Sequence, residues 1–257
     1  MTWLIAGWIS LRLRTSEHEL RLINATLEER VREQVTALER AGRLRRYLSP
    51  QVASRLLVAD VDPVAVRERR EITVLFADLK GFTPMVERLP PDVLAQVLAR
   101  YFDEVAEIVF AHGGTIDKFI GDAVMAFFGA PEPGQPAEEA VKCVRAALAV
   151  QARIAALGEE FVRAGAEQPL SVRIGIGSGL ATVGEFGARH RTDYTVVGPP
   201  VNRAARLEPL APAGGVLIDE ETARLLGARG RLDAAGEKQL KGFSKPQVTF
   251  FVTAVDD

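Results

Sequence analysis

The chain is poor in the residues that most often carry redox or soft-metal chemistry, with one cysteine, Cys143, and three histidines in 257 residues. A single thiol closes no intramolecular disulfide and builds no Cys-rich metal site, which fits a reducing compartment. Cys143 reads as a small apolar packing residue in a helix. An excess of charge is also missing: 32 Lys and Arg stand against 34 Asp and Glu, a formal net charge of −2. No basic field marks a nucleic acid as partner, so any anion must be gripped by local groups. There is no internal repeat and no low-complexity tract, and 47% hydrophobic residues exclude disorder for most of the chain. The length suits one domain plus an appendage.

The appendage is N-terminal. Residues 1–14 contain the apolar stretch WLIAGWISLRL, about half the ~20 residues a membrane span needs. It reads either as the tail of a span begun outside this chain or as an interfacial anchor with Arg12 and Arg14 at the headgroups. A signal peptide fits less well, since the basic residues follow the apolar run. The sequon Asn24-Ala25-Thr26 reads as chance. In residues 15–48 proline is absent until Pro50. Leu20, Ile23, Leu27, Val31, Val35, Leu38 and Ala41 form one helical stripe. A lone helix would leave that seam uncovered, so pairing with a partner helix in a coiled coil is expected, the alternative being a helix along its own domain. Residues 49–69 are a linker with a short amphipathic stretch, and residues 70–257 are the main domain.

In the main domain, residues 72–77 (ITVLFA) suit a buried central strand. After a turn at Gly81-Phe82-Thr83-Pro84, an amphipathic helix starts at Pro91 and runs to about His112. Residues 115–120 and 123–128 are strand-like and joined only by Gly121-Asp122, a hairpin signal. A helix fills 137–163, two strands follow at 171–177 and 181–186, and a short helix at 201–210. Strand, helix, hairpin, helix, strand is a ferredoxin-like βαββαβ order, an α+β fold with helices covering one face of a largely antiparallel sheet.

Asp78 and Asp122 each end an apolar run. On neighbouring strands they would meet at one sheet edge, two hard ligands of the kind a pair of Mg²⁺ ions takes when phosphates complete the shell. The loop Leu79-Lys80-Gly81-Phe82-Thr83 offers backbone amides that could cradle phosphates. Gly175-Ile176-Gly177-Ser178-Gly179 is not a dinucleotide fingerprint, because a strand and not a helix follows it. Asn202 and Arg206, four apart, project from one helix face, where they could handle a hydroxyl and a phosphoryl group.

FADLKGFT at 76–83, DKFIGDAVMAFFG at 117–129, VRIGI at 172–176 and YTVVGPPVNRAARLE at 194–208 resemble, in order and spacing, the class III adenylate and guanylate cyclases. The resemblance covers residues 70–253. It implies dimers with active sites at the subunit interface and, with it, the conversion of ATP to cyclic AMP and pyrophosphate using two Mg²⁺ or Mn²⁺ per site. By position, Asp78, Asp122 and the Leu79 backbone match the metal ligands. Lys118 and Thr195 match the base-reading pair, and Asn202 and Arg206 the ribose-orienting and transition-state residues. Gly81, Phe82, Thr83, Arg173 and Lys241 match phosphate contacts, with Lys245 close to Lys241. Lys118 can donate to adenine N1 and the Thr195 hydroxyl can accept from the adenine amine, which favours ATP over GTP. Many family members carry Asp at the Thr195 position, and a hydroxyl also donates, so GTP use is the alternative on specificity. The Gly198-Pro199-Pro200 stretch departs from the commoner Gly-Asp or Gly-Asn. A diguanylate cyclase would carry a different hairpin. An inactive nucleotide-binding regulatory module remains the reading from another class, though every expected position is filled. The resemblance places the catalytic domain in the cytoplasm, tethered at the membrane's inner face if residues 1–14 are an anchor.

Overall fold

The computed structural model describes residues 67–256 except 167 and 189. The apolar segment, the paired helix and the linker read above lie outside these residues. No helix among the described residues is long and apolar enough to cross a membrane.

The elements follow in chain order: β1 (Glu68–Leu79), α1 (Phe82–Arg88), α2 (Pro91–Ala111), β2 (Thr115–Ile120), β3 (Ala123–Phe128), α3 (Pro136–Ala156), α4 (Gly158–Arg163), β4 (Val172–Ala188), β5 (Arg191–Val197), α5 (Pro199–Leu207), β6 (Val216–Asp219), α6 (Glu220–Leu226), β7 (Gly230–Lys238) and β8 (Gln247–Val255). The sheet order is β2-β3-β1-β4-β6-β8-β7, with β5 paired to the far half of β4. The first four positions, all antiparallel, are the ferredoxin-like core expected from the sequence.

Alternation along β1 sends side chains to two cores. Leu75, Ala77 and Leu79 join Val97, Tyr101 and Val105 of α2 and Val144, Ala147 and Val150 of α3. Ile72 and Val74 join Met125, Phe127, Val196 and Ala204, with Phe76 at the margin. The second face is therefore covered by β5 and α5. On the helical side, Glu104 is only 6% exposed. It accepts from Arg153 at 2.5 and 2.9 Å, tying α2 to α3 as a buried charge must be tied.

Three boundaries differ from the sequence reading. The turn at 81–84 is the start of α1, and the helix read over 137–163 is broken at Leu157 into α3 and α4. The strands read at 171–177 and 181–186 are one strand, because Ser178 and Gly179 stay paired with Thr73 and Ile72. The Ser178 hydroxyl is tied to those of Thr73 and Thr222, at 2.9 and 2.8 Å.

The glycines of β4 explain how α5 reaches the sheet. Ile174 and Ile176 fill the helical core, and Gly175 and Gly177 face the other way. A Cβ on Gly175 would stand 2.2 Å from the Glu208 nitrogen and 2.4 Å from the Ala204 oxygen. On Gly177 it would stand 2.8 Å from the Pro200 oxygen. The helix backbone thus rests on the strand backbone. Arg203 locks it there by donating to Asp219 at 2.7 Å and to the Ser178 carbonyl at 2.5 Å. Gly175→Ala is expected to lift α5 and cost about 1–3 kcal/mol of stability, the usual penalty of overpacking. Thermal unfolding checks this, and an unchanged midpoint would refute the seating.

Candidate active site

Two groups of side chains gather around α5. The first is a knot of carboxylates. Asp78 lies near the end of β1 opposite Arg173 in the β1–β4 ladder, and the guanidinium donates to it at 2.5 Å. Arg173 Nε also lies 3.0 Å from Glu208 Oε1, a charge contact without hydrogen-bond alignment. Asp122 follows Gly121, whose φ of 65° is a left-handed turn that glycine adopts without strain. Burial, then the Asp78 charge, pushes the Asp122 carboxyl up to about 6, against the backbone amides of Asp122 and Leu79. Burial, then Asp78, raises Glu208 to about 7 despite Arg173. Below them the Tyr101 phenol, fully buried and without a hydrogen-bond partner, is pushed well above its ordinary value by burial and then by Asp78, Asp122 and Glu208.

Three carboxylates against one guanidinium leave a formal charge of −2 when all ionise, a crowding of like charge that a divalent cation relieves. The donor set fits hard metals such as Mg²⁺ or Mn²⁺. Among the described residues no group of three or more His, Cys, Asp or Glu is arranged to hold an ion, so donors beyond the two Asp and the Leu79 backbone would come from substrate and water. The amides of Gly81, Phe82 and Thr83 open α1 just after this knot, with no side-chain cap.

The second group lines a cavity of about 540 Å³: Asn202 and Arg206 of α5, Val197 to Pro199, and Lys241, Gly242 and Phe243 of the turn before β8. Lys241 is on the cavity wall, and Lys245, its sequence alternative, is not. Neither Asp78 nor Asp122 lines this cavity. At the sheet edge behind β5, the Thr195 hydroxyl donates to Asp117, and Lys118 Nζ lies 3.1 Å from the other Asp117 oxygen. The two base-reading candidates are thus joined through a residue to which the sequence reading gave no role. Arg173, expected on a phosphate, sits between carboxylates. Glu208 and Tyr101 were also unassigned; Glu208 closes the VNRAARLE motif, and that adjacency was the available signal.

These features are those of a nucleotide cyclase fold. The family described as the adenylate and guanylate cyclase catalytic domain matches residues 64–254, and the chain belongs to it. Among its relatives, Adenylate cyclase 1 of Rhizobium meliloti (strain 1021) is 41% identical over 141 residues, 54% of this chain and 21% of that protein. The adenylyl cyclase CyaB from P. aeruginosa superimposes with a TM-score of 0.71 at 39% identity, covering 73% of this chain and 96% of that one. The guanylyl cyclase Cya2 does so with 0.70 at 36%, covering 74% and 95%. The chain spans less than a third of the length of the curated relatives it matches first.

The raised carboxyls set a sign for pH. Asp122 and Glu208 keep protons in the folded state that an unfolded chain releases near pH 4, so their contribution to stability falls as pH rises toward about 6 and 7. A divalent ion that neutralises the knot opposes this loss. Millimolar Mn²⁺ is therefore expected to raise the melting temperature more at about pH 7.5 than at about pH 5, and Asp122→Asn should shrink the difference. An equal Mn²⁺ effect at both pH values would contradict the assignment.

Proposed function

We propose that the domain is an adenylate cyclase that converts ATP to 3′,5′-cyclic AMP and pyrophosphate between two copies of the chain. The observation that carries this reading is the separation of the Asn202, Arg206 and Lys241 cavity from the Asp78 and Asp122 knot. Each copy then offers two half-sites, and a second copy completes them. Ile120 and Val197, both 51% exposed, flank the base-reading residues and support a face that a second copy covers.

In this reading Lys118 donates to adenine N1, Thr195 accepts from the amine, and Asn202 orients the ribose. The 3′ oxygen forms a bond to the α-phosphorus, the bond from that phosphorus to the oxygen bridging to the β-phosphate breaks and pyrophosphate leaves with it, and the hydroxyl proton passes to water. The Arg206 fork meets the charge that grows on the α-phosphate, and Lys241 holds the departing pyrophosphate. Asp78 and Asp122 would hold Mg²⁺ or Mn²⁺, which supplies a lower hydroxyl pKa and neutralises the triphosphate. Arg173 holds Asp78 and Glu208 in place until substrate arrives. The likeness to the guanylyl cyclase Cya2 supports a second reading in which GTP is also turned over.

Residues 15–48 fit a paired helix that sets the geometry of the two domains. Incubation of the protein with ATP or GTP and Mg²⁺ or Mn²⁺, with products identified by mass spectrometry, tests the reaction. Cyclic AMP is expected, falling by at least about a hundredfold in Arg206→Ala, the scale of losing one transition-state donor, and lost in Asp78→Ala. Formation of neither cyclic nucleotide by a demonstrated dimer would favour an inactive regulatory module. Removal of residues 1–46 should lower both dimer affinity and turnover, and no change in either would rule out the helix role.

A further inference from the structure

The two strands that carry Lys118 and Thr195 meet at Asp117. The β2–β3 ladder pairs Ile116 with Ala126 and then Lys118 with Met125, so Asp117 is a bulge residue with no partner of its own. Neighbours on a regular strand point to opposite faces, whereas a bulge turns two consecutive side chains the same way. Asp117 and Lys118 accordingly share a side, with Lys118 Nζ 3.1 Å from Asp117 Oδ1. The Asp117 side chain is fully buried. Its other oxygen accepts the hydroxyl proton of Thr195, and the Val196 backbone amide donates to the same carboxylate.

An ionised carboxylate has no hydrogen to give, so this arrangement fixes the polarity of the Thr195 hydroxyl. Its one proton is committed to Asp117, and only lone pairs remain for a ligand. A free threonine could serve the amine of adenine or the carbonyl oxygen of guanine equally well. We propose that Asp117 is a specificity-determining positioning residue: by taking the Thr195 proton it makes that hydroxyl an acceptor only, selecting a purine with an exocyclic amine over one with a carbonyl at that place. The inference rests on the reading of Lys118 and Thr195 as the base-reading pair.

Asp117→Asn leaves a single acceptor oxygen where three donors converge, Lys118, the Thr195 hydroxyl and the Val196 amide, and adds an NH₂ that needs an acceptor, so the Thr195 proton is no longer committed and the hydroxyl can donate into the site. The test measures kcat/KM for ATP and GTP on the full chain with Mn²⁺, in wild type, Asp117→Asn, Thr195→Val and the double variant. Wild type is expected to favour ATP, and Asp117→Asn to lower the ATP-to-GTP ratio by about tenfold, the scale of one misdirected hydrogen bond. In the Thr195→Val background, where no hydroxyl remains to be turned, Asp117→Asn should leave the ratio unchanged. Equal loss with both nucleotides, or the same ratio change with and without the Thr195 hydroxyl, would assign Asp117 a structural role and overturn the inference alone. A wild type that prefers GTP would instead overturn the base-reading assignment, and the inference with it. Asp117→Glu provides a check independent of the folding of the Asn variant: it keeps both acceptors and should keep the ATP preference, and its loss there would also count against the inference.

Discussion

The site depends on one backbone-to-backbone contact, the seating of α5 on the glycine face of β4. The helix comes so near that a single methyl group at Gly175 would collide with main-chain atoms. That contact aims Asn202 and Arg206 of α5 outward to the cavity and Glu208, the residue just past the helix, inward to Arg173 and Asp78. The Arg203 guanidinium, tied to Asp219 and the Ser178 carbonyl, prevents the helix from rotating about its axis. A one-turn spacing of two side chains serves a site only when the helix holding them has a fixed azimuth.

The electrostatics point the other way, toward a site unsatisfied as it stands. Burial and the Asp78 charge raise the affinity of Asp122 and Glu208 for protons, and one arginine does not balance them. Such like-charge crowding destabilises the fold modestly and prepares it for cations. The cost falls at the C-terminal end of β1, where Asp78 is paired to Arg173 of β4, and at the turn of the β2–β3 hairpin, whose outer strand is a sheet edge.

What was legible in the sequence follows from how local the signal was. Asp78 and Asp122 stand out because each ends an apolar run, and Asn202 with Arg206 because a helix repeats every 3.6 residues. The βαββαβ order was readable for the same reason, since buried strands and amphipathic helices write their periods directly into the chain. The role of the β4 glycines was not, because the close approach they permit is to a helix about 25 residues further on. Arg173 was expected on a phosphate, but its ion-pair partners come from β1 and from the end of α5, and no spacing rule predicts them. The link from Thr195 to Asp117 joins β5 to β2, strands that are not neighbours in the sheet. Choosing Lys241 over Lys245 likewise required knowing which face of a turn borders the cavity.

The bulge in β2 has a further consequence for chain length. On either side of Asp117 the ladder steps in order, Ile116 with Ala126 and Lys118 with Met125. A strand lacking residue 117 would pair without interruption and still present Lys118 on the same face. As far as the sheet is concerned, β2 is one residue too long, and what that surplus residue contributes is its side chain. Shortening the hairpin by one would therefore leave a well-formed sheet that has lost the link between the strands that carry Lys118 and Thr195.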